Sequence, residues 1–108
     1  MRHSSEQRAL RHYRLRFYRI LGANVWIAGY ELDLIARRGR TVAFVEVKSK
    51  SGDGFGDPLE MVTAEKVRRI RAAAEAWLAA NPEHDGCQVR FDVVTERAGR
   101  LERLAGAF

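Results

Sequence analysis

The chain has 108 residues, 46% of them hydrophobic and 31% charged, with a formal net charge of +5. That length supports one domain, residues 1–108, around one modest core, and the composition excludes a disordered tail. No apolar run is long enough to span a bilayer, and Met1-Arg2-His3-Ser4-Ser5-Glu6 carries no hydrophobic signal core, so the expected location is the cytoplasm, with no membrane partner.

Residues 5–18 carry a helical pattern, with Ala9, Leu10, Tyr13 and Phe17 on one side and Arg8, Arg11, Arg14, Arg16 and Arg19 over much of the rest. Such a basic face is either solvated, with its stems lying on apolar surface, or turned toward phosphates. Asn24 is expected to end a turn before a strand over 25–30, whose end Gly29 blurs. A stronger strand covers 31–36, and residues 37–40, centred on Gly39, form the turn that follows. Residues 41–48 are rich in β-branched and aromatic side chains and apolar on both faces through Val42-Ala43-Phe44-Val45, which predicts a central strand. The polar stretch 49–58 contains Gly52, Gly54 and Gly56 but no following Gly-Lys-Ser/Thr, so it reads as a loop and not as a phosphate-binding one. Thr63 is a fitting N-cap for a helix with Val67, Ile70, Ala74, Trp77 and Leu78 on its apolar side and a stop at Asn81-Pro82. Trp77 belongs to the core in this reading. A strand over 88–95 and a short edge strand over 100–104 complete the pattern.

The chemistry concentrates between Asp33 and Lys48. In Ala43-Phe44-Val45-Glu46-Val47-Lys48 two charges interrupt a run suited to burial. Charges there are costly unless paired or bound to a metal. Strand alternation sends Glu46 and Lys48 the same way, so an acid, an amine and a second acid on the preceding strand can share one pocket. Hairpin register decides this. A two-residue loop at Arg38-Gly39 sets Glu31 opposite Glu46 with Asp33 on the diagonal. A four-residue loop, 38–41, pairs Arg37 with Val42 and sets Asp33 directly opposite Glu46. A regular three-residue loop separates the two acids. Opposed residues have Cβ atoms roughly 4.5–5.5 Å apart, and two carboxylates that close repel unless neutralised. Lys48 or a divalent ion can do so, and partial burial is expected to lower the pKa of Lys48. His3, His12 and His84 show no ligand spacing, so zinc is not expected. The lone cysteine, Cys87, has no internal disulfide partner.

With these residues in view, the chain resembles the YraN family of small bacterial proteins, itself similar to a minimal branch of the PD-(D/E)XK nuclease superfamily and to archaeal Holliday junction resolvases. The likeness runs through Glu6, Ala9, Asn24, Glu31-Leu32-Asp33-Leu34-Ile35-Ala36, Phe44-Val45-Glu46-Val47-Lys48, Phe55-Gly56-Asp57-Pro58, Val62-Thr63, Lys66 and Arg90-Phe91-Asp92-Val93-Val94. It implies an α/β fold with a restriction-endonuclease-like core: a mixed central sheet of four or five strands flanked by an N-terminal helix and a long helix after the third strand. It implies that Asp33 and Glu46 bind Mg²⁺ or Mn²⁺, that Lys48 is the catalytic lysine, and that Glu6 and Glu31 are further candidate metal ligands. Two positions depart from the family pattern: Tyr30 and Phe17 stand where glycine is common, and Tyr30 is expected to narrow the mouth of the site.

Three functions compete. The first is a metal-dependent endonuclease acting on DNA, branched or otherwise non-standard structures included, with Arg8, Arg11, Lys66, Arg68, Arg69 and Arg71 on phosphates. The second is a non-catalytic nucleic-acid-binding protein with a nuclease-like fold. The third is an interaction protein whose acids form only a structural ion pair. By resemblance to resolvases a homodimer is also expected, with the strand edge near 100–108 as a candidate surface.

Overall fold

The computed structural model describes residues 4–50 and 62–108. Most of the 49–58 loop, including Phe55-Gly56-Asp57-Pro58, therefore lies outside the described residues. Helix α1 is Ser4–Leu15, followed by strands β1 (Arg19–Ile27), β2 (Tyr30–Arg38) and β3 (Thr41–Lys50), helix α2 (Ala64–Ala80), a 3₁₀ turn (Pro82–His84), and strands β4 (Gln88–Arg97) and β5 (Arg100–Leu104). The five strands form one sheet in the order β1-β2-β3-β4-β5. All pairings are antiparallel except β3 with β4, which is parallel. A parallel pair needs a crossover, and α2 supplies it. The mixed sheet with an N-terminal helix and a helix after the third strand is as expected, and among the described residues no helix is long and apolar enough to cross a membrane.

The two helices cover opposite faces. Ala9, Leu10 and Tyr13 of α1 pack with Tyr18, Leu34, Ala36, Ala43, Val45 and Val94. Ile70, Ala73, Ala74 and Trp77 of α2 pack with Leu32, Ile35, Val42, Phe44 and Phe91. Burial on both sides makes β3 the central strand and explains its apolar run. Helix α2 begins as anticipated, with the Thr63 hydroxyl accepting from Lys66 N, and ends at Asn81.

Strand β1 starts earlier than periodicity suggests, because its residues are half-buried along most of their length and show little alternation. A register shift between Ile20 and Gly22 bends it. Asn24 does not precede the strand. It lies inside β1 with φ of 52°, a left-handed conformation that Asn tolerates. Facing flips at this point: Ala23 and its partner Leu34 join the α1 side, whereas Val25 and its partner Leu32 join the α2 side.

Helix α1 stops at Leu15, short of the expected end. Phe17 N–H donates to Arg14 O and Tyr18 N–H to Tyr13 O, with Phe17 at φ of 69°. This is the Schellman arrangement, whose left-handed position usually belongs to glycine. Phe17 is 87% exposed, so little packing offsets its backbone strain.

A second device ties α1 to the far end of the chain. Asp92 is completely buried. Its carboxylate accepts from Tyr13 Oη at 2.6 Å, from Arg90 Nε and Nη2 at 2.8 Å each, and from Gly106 N at 3.0 Å. Burial acts against the charge, but these donors, Arg90 foremost, hold the carboxyl below its ordinary range.

Two stability measurements check these assignments. Phe17→Gly is expected to stabilise by about 0.5–1 kcal/mol through relief of the left-handed strain, read as a rise in Tm; a fall would mean that the exposed ring is held by contacts. Asp92→Asn is expected to cost on the order of 3 kcal/mol, because Arg90 loses its counter-charge inside the fold, read as a lower urea midpoint at pH 7. A shift within about 0.5 kcal/mol would contradict this account of the network.

Candidate active site

The β2–β3 ladder runs from Arg38↔Thr41 to Leu34↔Val45 and stops. The hairpin loop is Gly39-Arg40, and Arg37 pairs with Val42, which is the register that sets Asp33 opposite Glu46. Beyond that point Tyr30, Glu31 and Leu32 pair only with β1, and Glu46 to Lys50 only with β4. The strands therefore fork, and Asp33 and Glu46 occupy the apex.

The fork leaves a backbone donor without a strand partner. Asp33 Oδ2 accepts from Val47 N at 2.9 Å and takes the place of the missing ladder carbonyl. Glu46 is buried, and its Oε2 lies 3.0 Å from Lys48 Nζ and 3.9 Å from Lys66 Nζ. The Tyr30 hydroxyl hydrogen-bonds Glu46 from the other wall, and its pKa is pushed up to about 12 by burial and then by the charges of Glu46 and Asp33. Tyr30 thus closes on the acids from the mouth of the site, as its bulk suggested.

Asp33 bears the cost of this crowding. Burial first, then the charge of Glu46, with a further push from Glu6, raises its carboxyl to about 7 despite the Val47 hydrogen bond and Lys48. Lys48 behaves otherwise than expected. Burial does act to lower it, but the hydrogen bond to Lys66, and then Glu46, outweigh burial and its pKa rises. The amine that is lowered is Lys66, through its hydrogen bond with Lys48 and then burial. Two ammonium groups that close cannot both keep their protons easily, and the one nearer Glu46 wins.

The other candidates spread out. Glu6 accepts from Asn24 Nδ2 at 3.4 and 3.5 Å, on the α1 side of the fork. Glu31 pairs with Trp26 in the β1–β2 ladder. Among the described residues no group of three His, Cys, Asp or Glu side chains could hold a metal ion, and of those residues Asp33 and Glu46 are the acids at the apex of the fork. Of the proposed phosphate contacts, Arg8 is paired with Glu96 and donates to Gly99 O. Arg69 pairs with Glu65 at 2.8 Å. Arg11 is exposed on α1, and Lys66 faces Glu46. Placing Lys66 at the acids required the packing of α2 against the sheet, for which local sequence carries no signal.

Comparison with known proteins places this geometry in a family. Residues 5–95 match the uncharacterised protein family UPF0102. A UPF0102 protein of Mycolicibacterium vanbaalenii is 51% identical over 83 residues, covering 76% of this chain and 67% of the relative. One from Rhodopseudomonas palustris (strain HaA2) is 41% identical over 106 residues, covering 97% and 81%. One from Nitrobacter winogradskyi is 41% identical over 106 residues, covering 97% and 88%.

The raised Asp33 carboxyl has a measurable consequence. A carboxyl that titrates higher in the fold than in the unfolded chain stabilises while protonated, and that contribution disappears as pH rises through about 7. In EDTA, stability is therefore expected to fall between about pH 5 and pH 8. Asp33→Asn keeps an acceptor for Val47 and should remove that fall, becoming the more stable protein at pH 8 by on the order of 3 kcal/mol. Parallel urea midpoints for parent and variant across this range would show that Asp33 is not under electrostatic strain.

Proposed function

This chain belongs to the uncharacterised protein family UPF0102, and we propose that it is a divalent-metal-dependent endonuclease of the PD-(D/E)XK type that hydrolyses phosphodiester bonds in DNA. The observation that carries this reading is the placement of Asp33 and Glu46 just beyond the last β2–β3 pair, at the apex of a strand fork, with Lys48 Nζ 3.0 Å from Glu46.

The donor set fits Mg²⁺ or Mn²⁺. Two carboxylates, with no His or Cys grouped with them among the described residues, suit a hard ion that completes its shell with waters and phosphate oxygens, and do not suit zinc. Asp33 and Glu46 would hold the ion, with Glu6 in reserve on the α1 side and Glu31 outside the set. When bound, such an ion offsets charge on the scissile phosphate and lowers the pKa of a coordinated water. The remaining work falls to the chain. Lys48, kept protonated by its neighbours, holds a phosphate oxygen and orients the attacking water. Lys66 presents a second amine to the same phosphate. Tyr30 shields the pocket and fixes the Glu46 carboxylate. The net charge of +5 supplies the attraction that brings a polyanion to the fork.

The Glu46–Lys48 pair by itself favours a purely structural role, since it would satisfy both charges. Asp33 argues against that reading, because among the described residues it forms no ion pair, and its carboxyl stays raised despite the charge of Lys48.

Cleavage of duplex and branched DNA with Mg²⁺ or Mn²⁺ is the direct test. Parent protein is expected to give products only with the ion, and Asp33→Ala and Lys48→Ala each to lower the rate about 100-fold or more while still binding DNA. Undiminished cleavage by both variants would place the chemistry elsewhere. Binding without products from any substrate would leave a nucleic-acid-binding module on this fold.

A further inference from the structure

Tyr30 separates two spaces. Its hydroxyl reaches Glu46 in the fork, and it also lines an open groove of 540 Å³ between the β1–β2 turn and α2. The turn contributes Ala28 and Gly29, and the helix contributes Glu65, Arg68, Arg69 and Ala72. At Gly29, with φ of 74°, the space where a side chain would stand is open for 4 Å, so a ligand can approach the backbone closely. The cations are not equivalent. Arg69 is engaged by Glu65, and Arg71 lies over the Phe91 ring at 4.9 Å. Arg68 is exposed and, among the described residues, has no ion pair. Helix α2 thus turns Lys66 toward the acids and Arg68 toward the groove, so cationic side chains lie on both sides of Tyr30.

We infer that this groove holds the phosphodiester backbone of the bound strand immediately beyond the scissile phosphate, with Arg68 contacting a non-bridging phosphate oxygen. The inference rests on the nuclease reading of the fork and extends it by a second phosphate position. A strand leaving the fork on the α2 side passes Tyr30 and meets the open turn on one wall and, on the other, the Arg68 guanidinium, which has no ion pair among the described residues. Guanidinium geometry suits a phosphate through two parallel N–H donors. Glu65 does not cancel the groove's charge, because it is already matched by Arg69.

The test is binding, measured apart from cleavage. Anisotropy of a fluorescein-labelled DNA oligonucleotide is followed in EDTA at several salt concentrations, for parent, Arg68→Glu and a distant control, Arg100→Glu on β5. Arg68→Glu is expected to weaken binding about tenfold and to reduce the log–log salt slope by about one, with Arg100→Glu close to the parent. Circular dichroism checks that each variant is folded. Equal affinity and slope for Arg68→Glu and parent would overturn the groove, as would an equal loss in Arg100→Glu or no measurable binding by the parent. Competition by polyglutamate as effective as by unlabelled DNA of equal charge would also overturn it, since the site would then read charge alone. Metal-dependent cleavage decides the fork separately: a cleaving parent with an unaffected Arg68→Glu retains the nuclease and loses the groove, and the reverse pattern does the opposite.

Discussion

One hydrogen bond organises the centre of this protein. Where β2 and β3 separate, the amide of Val47 would face a gap, and Asp33 Oδ2 fills it. A buried donor left unmatched costs on the order of 1–3 kcal/mol, so the carboxyl of Asp33 is held at the apex of the fork as part of the sheet's own hydrogen bonding. Glu46, the next residue of the opposite strand, then has no choice but to share that apex. The proximity of two acids follows from where the ladder ends, and the rest of the site is a response to it: Lys48 and Lys66 bring positive charge to Glu46, and Tyr30 brings a hydroxyl.

The two aspartates of the described sheet, Asp92 buried and Asp33 half-buried, show how environment divides structure from chemistry. Asp92 receives a forked guanidinium, a phenol and a backbone amide, and its carboxyl is held low. Asp33 receives one amide and faces another acid, and its carboxyl is held high. The first is a saturated network that fastens α1 and the C-terminal segment to β4. The second is an unsaturated one, with acceptor capacity that the described residues do not use. Unspent acceptors at the mouth of a cleft suit a bound cation, whereas a saturated carboxylate in the core does not. Strain in the backbone follows a different logic. Phe17 and Asn24 both adopt left-handed conformations, one to end a helix and the other to turn β1 as it passes beside the fork.

Much of this was legible along the chain. The apolar run 42–45 required a central strand, Thr63 and Asn81-Pro82 bracketed α2, and the acid-strand-acid-lysine pattern pointed to one pocket. The positions that misled are those where tertiary contacts override local pattern. Asn24 resembles a turn residue, yet pairing with β2 keeps it in a strand. Lys48 looked like the amine to be lowered by burial, but its hydrogen bond with Lys66, and then Glu46, outweigh burial, and the loss falls on Lys66. Arg8, a candidate phosphate contact, also meets Glu96, a residue 88 positions away.

Local sequence settled which segments become helix or strand, because periodicity and capping act over a few neighbouring residues. It also narrowed the hairpin to a few registers, two of which keep Asp33 and Glu46 on one side. Both bury the same strand faces, and the folded hairpin adopts the one closed by Gly39-Arg40, with Arg38 opposite Thr41. How each charge is completed was partly a tertiary outcome: Arg90 and Lys48 stand two residues from Asp92 and Glu46 on the same strands, but Tyr13, Glu96 and Lys66 reach Asp92, Arg8 and Glu46 from elements distant in the chain, and Coulombic and hydrogen-bond energies depend on separation in space and not along the backbone.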